Sequence, residues 1–148
     1  MPAPSTTLSP KQLIAAAKAP LMAYNDKNWD ALKASITPNF VYDEVGTDRK
    51  VQGVDNVMPM MKEWGEAIPD SKATFDNAYV SGNTVVIELT WRGTHTGPLN
   101  LPSGSVPGTG KSIEMRACNV FEITGDKASM QRQYFDMATM FRQLGIGR

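Results

Sequence analysis

Residues 131–145 read QRQYFDMATMFRQLG, and this stretch joins the end of a predicted strand to the helix that follows it. The residues up to Phe135 favour a β-strand, whereas residues 137–144 are amphipathic and stop at Gly145, as helices often do. A tight turn at residues 124–127, TGDK, connects this strand to the one before it. The two strands therefore form a long hairpin, and Asp136 lies at its far end.

Asp136 is the main catalytic candidate of this hairpin. Strict alternation from Ala128 places it on the same face as Arg132 and Tyr134. Because a lone carboxylate on an apolar face is costly to bury as an anion, we expect a raised pKa, which suits a general acid or base. A helix cap is the competing role, since an aspartate before a helix accepts hydrogen bonds from the first turn and its pKa is then lowered.

Alternation along residues 84–96 and 111–123 brings further polar and aromatic side chains to that face. Helices must cover the face because it is mainly apolar. Polar groups spread among large apolar side chains indicate a lined cavity rather than a solid core. Asp136 and His95 are the predicted catalytic residues of this cavity. The predicted substrate contacts are Arg132, Asn119, Tyr134, Trp91, Met115, Trp64 and Tyr42.

Some of these residues also have a structural interpretation. His95 lies near a strand end beside a Gly/Pro-rich loop, where a histidine hydrogen-bonded to the backbone is the alternative to a substrate contact. The aromatic and methionine side chains are also ordinary wall and core residues. Arg132 indicates an anionic or strongly carbonyl-polarised ligand, or else a structural ion pair with Asp43 or Glu44.

Composition excludes several classes of function. The 15 basic and 15 acidic residues cancel, which leaves no electrostatic footprint for nucleic acid or an anionic membrane. A single cysteine, Cys118, excludes an internal disulfide and, with a single histidine, a Cys/His metal cluster. No signal peptide and no apolar run of ~20 residues is visible. We therefore expect a cytoplasmic, soluble, metal-free protein.

A chain of 148 residues fits a single domain, expected here over residues 9–148 after a flexible segment 1–8. Ser9 and Pro10 are a typical cap and first residue of a helix, which Pro20 is expected to kink or interrupt. Helices gather first and antiparallel strands later, so the predicted class is α+β. The other predicted helices span residues 29–36 and 54–67, and the main strands span residues 40–44, 73–80, 84–96, 111–123 and 128–136.

Four short motifs occur in a characteristic order: GTHTG at 93–97, PGTGK at 107–111, FD at 135–136 and RQLG at 142–145. Together with the stretch around Trp29, they resemble the SnoaL-like polyketide cyclase family, also called ester cyclases. The resemblance covers roughly residues 10–146.

The resemblance implies the nuclear transport factor 2-like fold, a cone of curved antiparallel sheet closed by helices around a deep pocket. It also implies a lyase or isomerase type of activity: a cofactor-free aldol condensation that closes a ring on a polyketide methyl ester. In the characterised cyclases an aspartate at the end of the last strand is the acid/base, and Asp136 holds that position. A homodimer is usual in the family. The expected contact is the outer sheet face, which is predicted to carry Arg116, Cys118, Val120, Gln131, Gln133 and Phe135.

Two other functions stay open on the same fold. One is a non-catalytic domain that binds a small molecule or a protein partner in the cone. The other is hydrolysis, as in the limonene epoxide hydrolases, which use an Asp-Arg-Asp trio. This chain offers Arg132 and Asp136 for that trio but no second inward aspartate in its last three strands.

Overall fold

The computed structural model describes residues 8–101 and 103–146. The expected flexible segment lies outside these residues except for Leu8, which packs against the core. The α-helices are α1 (Pro10–Asn25), α2 (Trp29–Ala34), α3 (Val54–Ala67) and α4 (Met137–Leu144). The strands are β1 (Ile36–Glu44), β2 (Arg49–Gln52), β3 (Lys72–Ser81), β4 (Thr84–Thr94), β5 (Leu99–Leu101), β6 (Gly104–Val106), β7 (Ser112–Thr124) and β8 (Lys127–Phe135).

The predicted α+β class is confirmed. Six of the described strands form one sheet in the order β2-β1-β8-β7-β4-β3, and β5 and β6 form a separate two-stranded sheet. Neighbouring strands are antiparallel except β1 and β8, which pair in parallel. The sheet is therefore mixed, where the sequence predicted an antiparallel one. Hydrophobic alternation shows which face of a strand is buried, but it does not show which distant strand lies alongside.

A local capping signal sets the start of helix α1. Ser9 caps α1 with a reciprocal pair of bonds, in which its hydroxyl accepts from the Gln12 amide at 3.1 Å and its own amide donates to Gln12 Oε1 at 2.8 Å. The expected interruption at Pro20 is wrong, because α1 continues through it and buries the proline ring. Helix α3 occupies residues 54–67 as predicted.

The predicted inward faces of β4 and β7 are confirmed. Val85, Ile87 and Leu89 of β4 are fully buried, as is Phe121 of β7. Helices α1 and α3 contact the sheet on this side, and the side chains between the layers form the main core. One end of this layer opens into the cavity described below.

Strand β8 departs from the predicted alternation. The Gly125–Asp126 turn is as expected, with Thr124 opposite Lys127, but the register shifts immediately afterwards and Ser129 is left as an extra residue. The Ser129 hydroxyl holds this β-bulge by donating to the Glu122 carbonyl at 3.2 Å and contacting the Thr124 hydroxyl at 2.8 Å. A one-residue bulge sends every later side chain to the opposite face.

The bulge reverses the predicted faces of residues 130–136. Gln131, Gln133 and Phe135 point inward, whereas Arg132 and Tyr134 lie on the outer face. Placing Gln131, Gln133 and Phe135 on the outer surface was therefore wrong, and so was placing Arg132 and Tyr134 in the cavity.

Candidate functional site

A cavity of about 70 Å³ lies between the concave face of the sheet and helices α1, α3 and α4. Its wall is mostly aromatic, aliphatic and methionine side chains. Glu44 is the single charged residue among the described lining residues. The described lining residues include Tyr24, Tyr42, Glu44, Trp64, Ser71, Trp91, Met115, Gln131, Gln133 and Phe135.

Glu44 reaches the cavity because it ends β1 on the same face as Phe40 and Tyr42. Its side chain is 1% exposed. Oε2 accepts hydrogen bonds from the Tyr42 hydroxyl and from Trp64 Nε1, both at 2.8 Å. These donors come from a strand and from α3, so the carboxylate links the sheet to the helical layer.

The other oxygen of Glu44 is held by the turn that follows β1. Oε1 accepts from the Thr47 hydroxyl at 2.6 Å and from Arg49 Nη2 at 2.9 Å. Arg49 is partly exposed, so the ion pair lies between the cavity and solvent. Hydrogen bonds from charged and neutral donors together stabilise a buried carboxylate anion.

A chain of side-chain amides leads to the same carboxylate. Gln133 Nε2 donates to the Tyr42 hydroxyl at 2.7 Å, and Gln133 Oε1 accepts from Trp91 Nε1 at 2.7 Å. Asn119 donates to Gln133 Oε1 at 3.3 Å and accepts from Gln131 Nε2 at 2.7 Å. We call Asn119, Gln131 and Gln133 the amide cluster.

Both tyrosines at the cavity are neutral phenols at ordinary pH. Burial is the main reason that the pKa of Tyr42 lies well above its usual value, and the nearby Glu44 carboxylate raises it further. Burial likewise raises the pKa of Tyr24 to about 12, against the opposing effect of its hydrogen bond with Ser71. Tyr42 therefore acts as a hydrogen-bond donor toward Glu44.

Several predicted substrate contacts do line the cavity, namely Tyr42, Trp64, Trp91 and Met115. Asn119 is fully buried just behind the wall, where it contacts the two glutamines that line it. These residues come from three strands and one helix. The predicted inward faces of β4 and β7 account for Trp91, Met115 and Asn119.

Two predicted contacts lie outside the cavity. Arg132 Nη1 is 3.6 Å from Glu122 Oε2 on the outer face of the sheet. Tyr134, also on that face, is 45% exposed. The cause is the bulge at Ser129, which also removes the reason to expect an anionic ligand at Arg132.

Asp136 is an exposed helix cap rather than a buried cavity residue. Its Oδ1 accepts from the Ala138 amide at 3.0 Å, and its Oδ2 accepts from the Thr139 hydroxyl at 2.8 Å. These hydrogen bonds, that of Thr139 first, lower the pKa of Asp136. The expectation of a raised pKa on an apolar face was therefore wrong, and the competing interpretation as a cap describes the residue.

His95 anchors the loop that follows β4. It is fully buried but does not line the cavity, and its Nδ1 accepts from the Thr109 amide at 3.3 Å. The ring proton is therefore assigned to Nε2, for which the described residues provide no hydrogen-bond partner. Burial lowers the pKa of His95, and the Gly97 backbone opposes this in part.

Sequence reasoning missed Glu44, Gln131 and Gln133 as cavity residues. Glu44 could have been found, because it alternates with Phe40 and Tyr42 along one strand. The two glutamines could not, since nothing in the run after Ala128 marks Ser129 as a bulge.

Within residues 8–101 and 103–146, no three His, Cys, Asp or Glu side chains gather into a group that could hold a metal ion. None of the described helices has the length and apolar character that crossing a membrane requires.

The sequence profile of the SnoaL-like polyketide cyclases matches residues 14–144, which is most of the chain. The chain belongs to this family. No curated protein matches it significantly.

Solved structures of related folds agree with this membership. TsrD from Streptomyces laurentii is 20% identical with a TM-score of 0.78, over 93% of this chain and 98% of that one. IdmH from Streptomyces antibioticus, a candidate polyketide cyclase, is 22% identical with a TM-score of 0.76, over 91% and 99%. An LEH-like epoxide hydrolase of M. tuberculosis is 21% identical with a TM-score of 0.71, over 90% of each chain. The fold is therefore nuclear transport factor 2-like.

Proposed function

We propose that this chain is a cofactor-independent enzyme of the lyase or isomerase type that performs aldol-type chemistry on a small, neutral carbonyl compound. One observation carries the proposal: a buried carboxylate, Glu44, hydrogen-bonded to a buried phenol, Tyr42, in a cavity with otherwise mainly apolar walls. A carboxylate base and a nearby donor for the carbonyl oxygen are the two groups that enolisation requires.

The proposed reaction begins when a substrate carbonyl oxygen takes over the hydrogen bond of Tyr42 or of Trp64. This exchange frees a lone pair on Oε2 of Glu44. The carboxylate then removes a proton from the carbon next to the carbonyl. The C–H electron pair forms the new C=C bond, and the carbonyl pair moves onto oxygen to give an enolate that the O–H or N–H group stabilises.

Ring closure follows without any change of oxidation state. The enolate carbon attacks a second carbonyl group of the same molecule, and the carboxylic acid of Glu44 returns its proton to the alkoxide that forms. Every atom and electron is supplied by the substrate and this one side chain, so the step requires no cofactor.

Arg49 determines which oxygen of Glu44 does this work. Its guanidinium lies 2.9 Å from Oε1, so that oxygen is engaged on the solvent side, whereas the two donors to Oε2 both line the cavity. The ion pair also cancels the charge of the carboxylate. A neutral substrate such as an ester or ketone fits this site better than an anion does, because an anion would meet the carboxylate with no free cation beside it.

Asp136 is the acid/base that the family resemblance implies, and here we assign that role to Glu44 instead. Both oxygens of Asp136 accept hydrogen bonds from the first turn of α4, and its side chain is exposed. An exposed carboxylate outside the cavity does not reach a substrate bound there, whereas Glu44 lines the cavity wall.

A non-catalytic binding domain is the second candidate. It is favoured by the pairing within the site, where both oxygens of Glu44 and the Tyr42 hydroxyl already have protein partners. The hydrolytic alternative has less support, because Arg132 and Asp136, its two candidate members of an Asp-Arg-Asp trio, lie outside the cavity.

The test is proton exchange at carbon, which does not require the natural substrate. We expect the protein in D₂O to exchange the methyl protons of 4-hydroxyacetophenone faster than buffer does, as followed by NMR. Glu44→Gln keeps the shape but removes the base, so exchange should fall by at least ~100-fold, a typical contribution of general base catalysis. Binding of the ketone without exchange above buffer would favour the binding domain instead.

A further inference from the structure

Trp91 sets the direction of every hydrogen bond in the amide cluster. An indole N–H can only donate, so the Gln133 atom that lies 2.7 Å from Trp91 Nε1 must be the oxygen. Asn119 approaches the same oxygen at 3.3 Å and must therefore present its Nδ2. The remaining nitrogen of Gln133 donates to Tyr42.

The same reasoning assigns the orientation of the Gln131 side-chain amide at the other end of the cluster. Because Asn119 donates through Nδ2, its Oδ1 is the acceptor, and the Gln131 atom at 2.7 Å must be Nε2. The Oε1 of Gln131 then has no hydrogen bond to any residue in the described part of the chain. Gln131 lines the cavity and is only 4% exposed. Among the described residues the fully buried side-chain atoms without a partner are Thr37 Oγ1 and His95 Nε2, so the Oε1 of Gln131 stays accessible to a donor that enters the cavity.

We infer that Gln131 is a specificity-determining residue, which accepts a hydrogen bond from a hydroxyl group of the substrate. The inference deepens the proposed function and rests on it for the carbonyl end of the site. Gln131 and Gln133 lie two residues apart on the same face of β8, about 7 Å along the strand. Since Gln133 contacts Tyr42, the substrate is a neutral carbonyl compound with a hydroxyl group at about that distance from its carbonyl oxygen.

The rest of the cavity offers little competition for this hydroxyl. Tyr24 and Ser71, the other hydroxyl-bearing pair at the wall, already hydrogen-bond to each other at 2.7 Å. Trp64 and Tyr42 donate rather than accept toward the carboxylate. Gln131 is therefore the acceptor that a ligand hydroxyl can reach without displacing an existing hydrogen bond.

The inference is tested by binding, with 4-hydroxyacetophenone and 4-methylacetophenone as probes and calorimetry as the readout. The methyl group replaces the hydroxyl at similar size but cannot donate. We measure the ratio of the two dissociation constants in wild type, in Gln131→Met and in Arg132→Gln. The last substitution lies on the outer face of the same strand and serves as the matched control.

We expect Gln131→Met to lower the preference for the hydroxyl probe by roughly five- to tenfold, the value of one hydrogen bond, and Arg132→Gln to keep it. Trp91→Phe removes the group that sets the direction of the cluster without touching Gln131, so the preference should fall there too. An unchanged ratio in both cavity variants overturns the inference, as does a wild type that prefers the methyl probe. The assay needs no turnover, so its result is separate from that of the Glu44→Gln exchange test.

Discussion

Gln133 Nε2 donates a 2.7 Å hydrogen bond to the hydroxyl of Tyr42, a residue 91 positions earlier in the chain. This contact joins the parallel strands β8 and β1 inside the cavity. The same Tyr42 hydroxyl donates a hydrogen bond to Glu44, so Gln133 and Glu44 share one partner. The structure of the site and the stability of the fold are therefore coupled at one phenol.

Tyr42→Phe tests this coupling. The ring is kept, but Gln133 Nε2 and Glu44 Oε2 each lose a partner, so the free energy of unfolding should fall by roughly 1–3 kcal/mol in urea denaturation. Tyr134→Phe is the control, because its hydroxyl is on the exposed outer face and its loss should cost almost nothing. Equal stability of the two variants would contradict the coupling.

The bulge at Ser129 decides which residues of β8 face the cavity. Ser129→Ala removes two contacts of the hydroxyl and should cost about 1 kcal/mol in unfolding free energy. Deleting Ser129 removes the extra residue and leaves Gln131 and Gln133 on the inward face, so we expect the deletion variant to keep a cooperative thermal transition in circular dichroism. A deletion variant without a cooperative transition would contradict the assignment of Ser129 as the extra residue of the strand.

His95 makes the stability depend on pH. Its pKa is lowered in the folded protein, so the unfolded chain binds the proton more readily. The stabilising contribution is therefore complete above the unfolded pKa of about 6.5 and is lost as the pH falls below it toward the folded pKa. Between about pH 7.5 and about pH 5.5 the wild-type melting temperature should drop more than that of His95→Asn. Parallel curves for the two proteins would rule this out.

The homodimer through the outer sheet face stays a prediction. Tyr134 is exposed on that face, and Met22 is similarly exposed on helix α1. Light scattering should give the mass of a dimer for wild type and for Met22→Arg, but that of a monomer for Tyr134→Arg, since a buried unpaired charge opposes association. A wild-type monomer at micromolar concentration would contradict the dimer.

Local structure was predicted well from the sequence. Helix α3 follows from the helical spacing of its apolar residues, the Gly125–Asp126 turn from turn chemistry, and the inward faces of β4 and β7 from alternation. The cavity walls at Trp91 and Met115 follow from those faces.

Non-local features are where prediction from the sequence failed. The parallel pairing of β1 with β8 depends on contacts between distant parts of the chain, which alternation does not encode. The bulge at Ser129 is a single extra residue with an unremarkable side chain, yet it exchanged Arg132 for Gln131 and Gln133 in the cavity. Asp136 was the predicted catalytic residue, but it caps helix α4. Its carboxylate therefore faces the helix rather than the cavity.

The central claim, that Glu44 rather than Asp136 is the acid/base, is tested most directly by comparing Glu44→Gln with Asp136→Asn in the deuterium-exchange assay with 4-hydroxyacetophenone. We predict that Glu44→Gln lowers the exchange rate by at least ~100-fold while Asp136→Asn stays within about threefold of wild type, with circular dichroism confirming that both are folded. A folded Asp136→Asn variant without exchange, beside a Glu44→Gln variant at the wild-type rate, would contradict the claim.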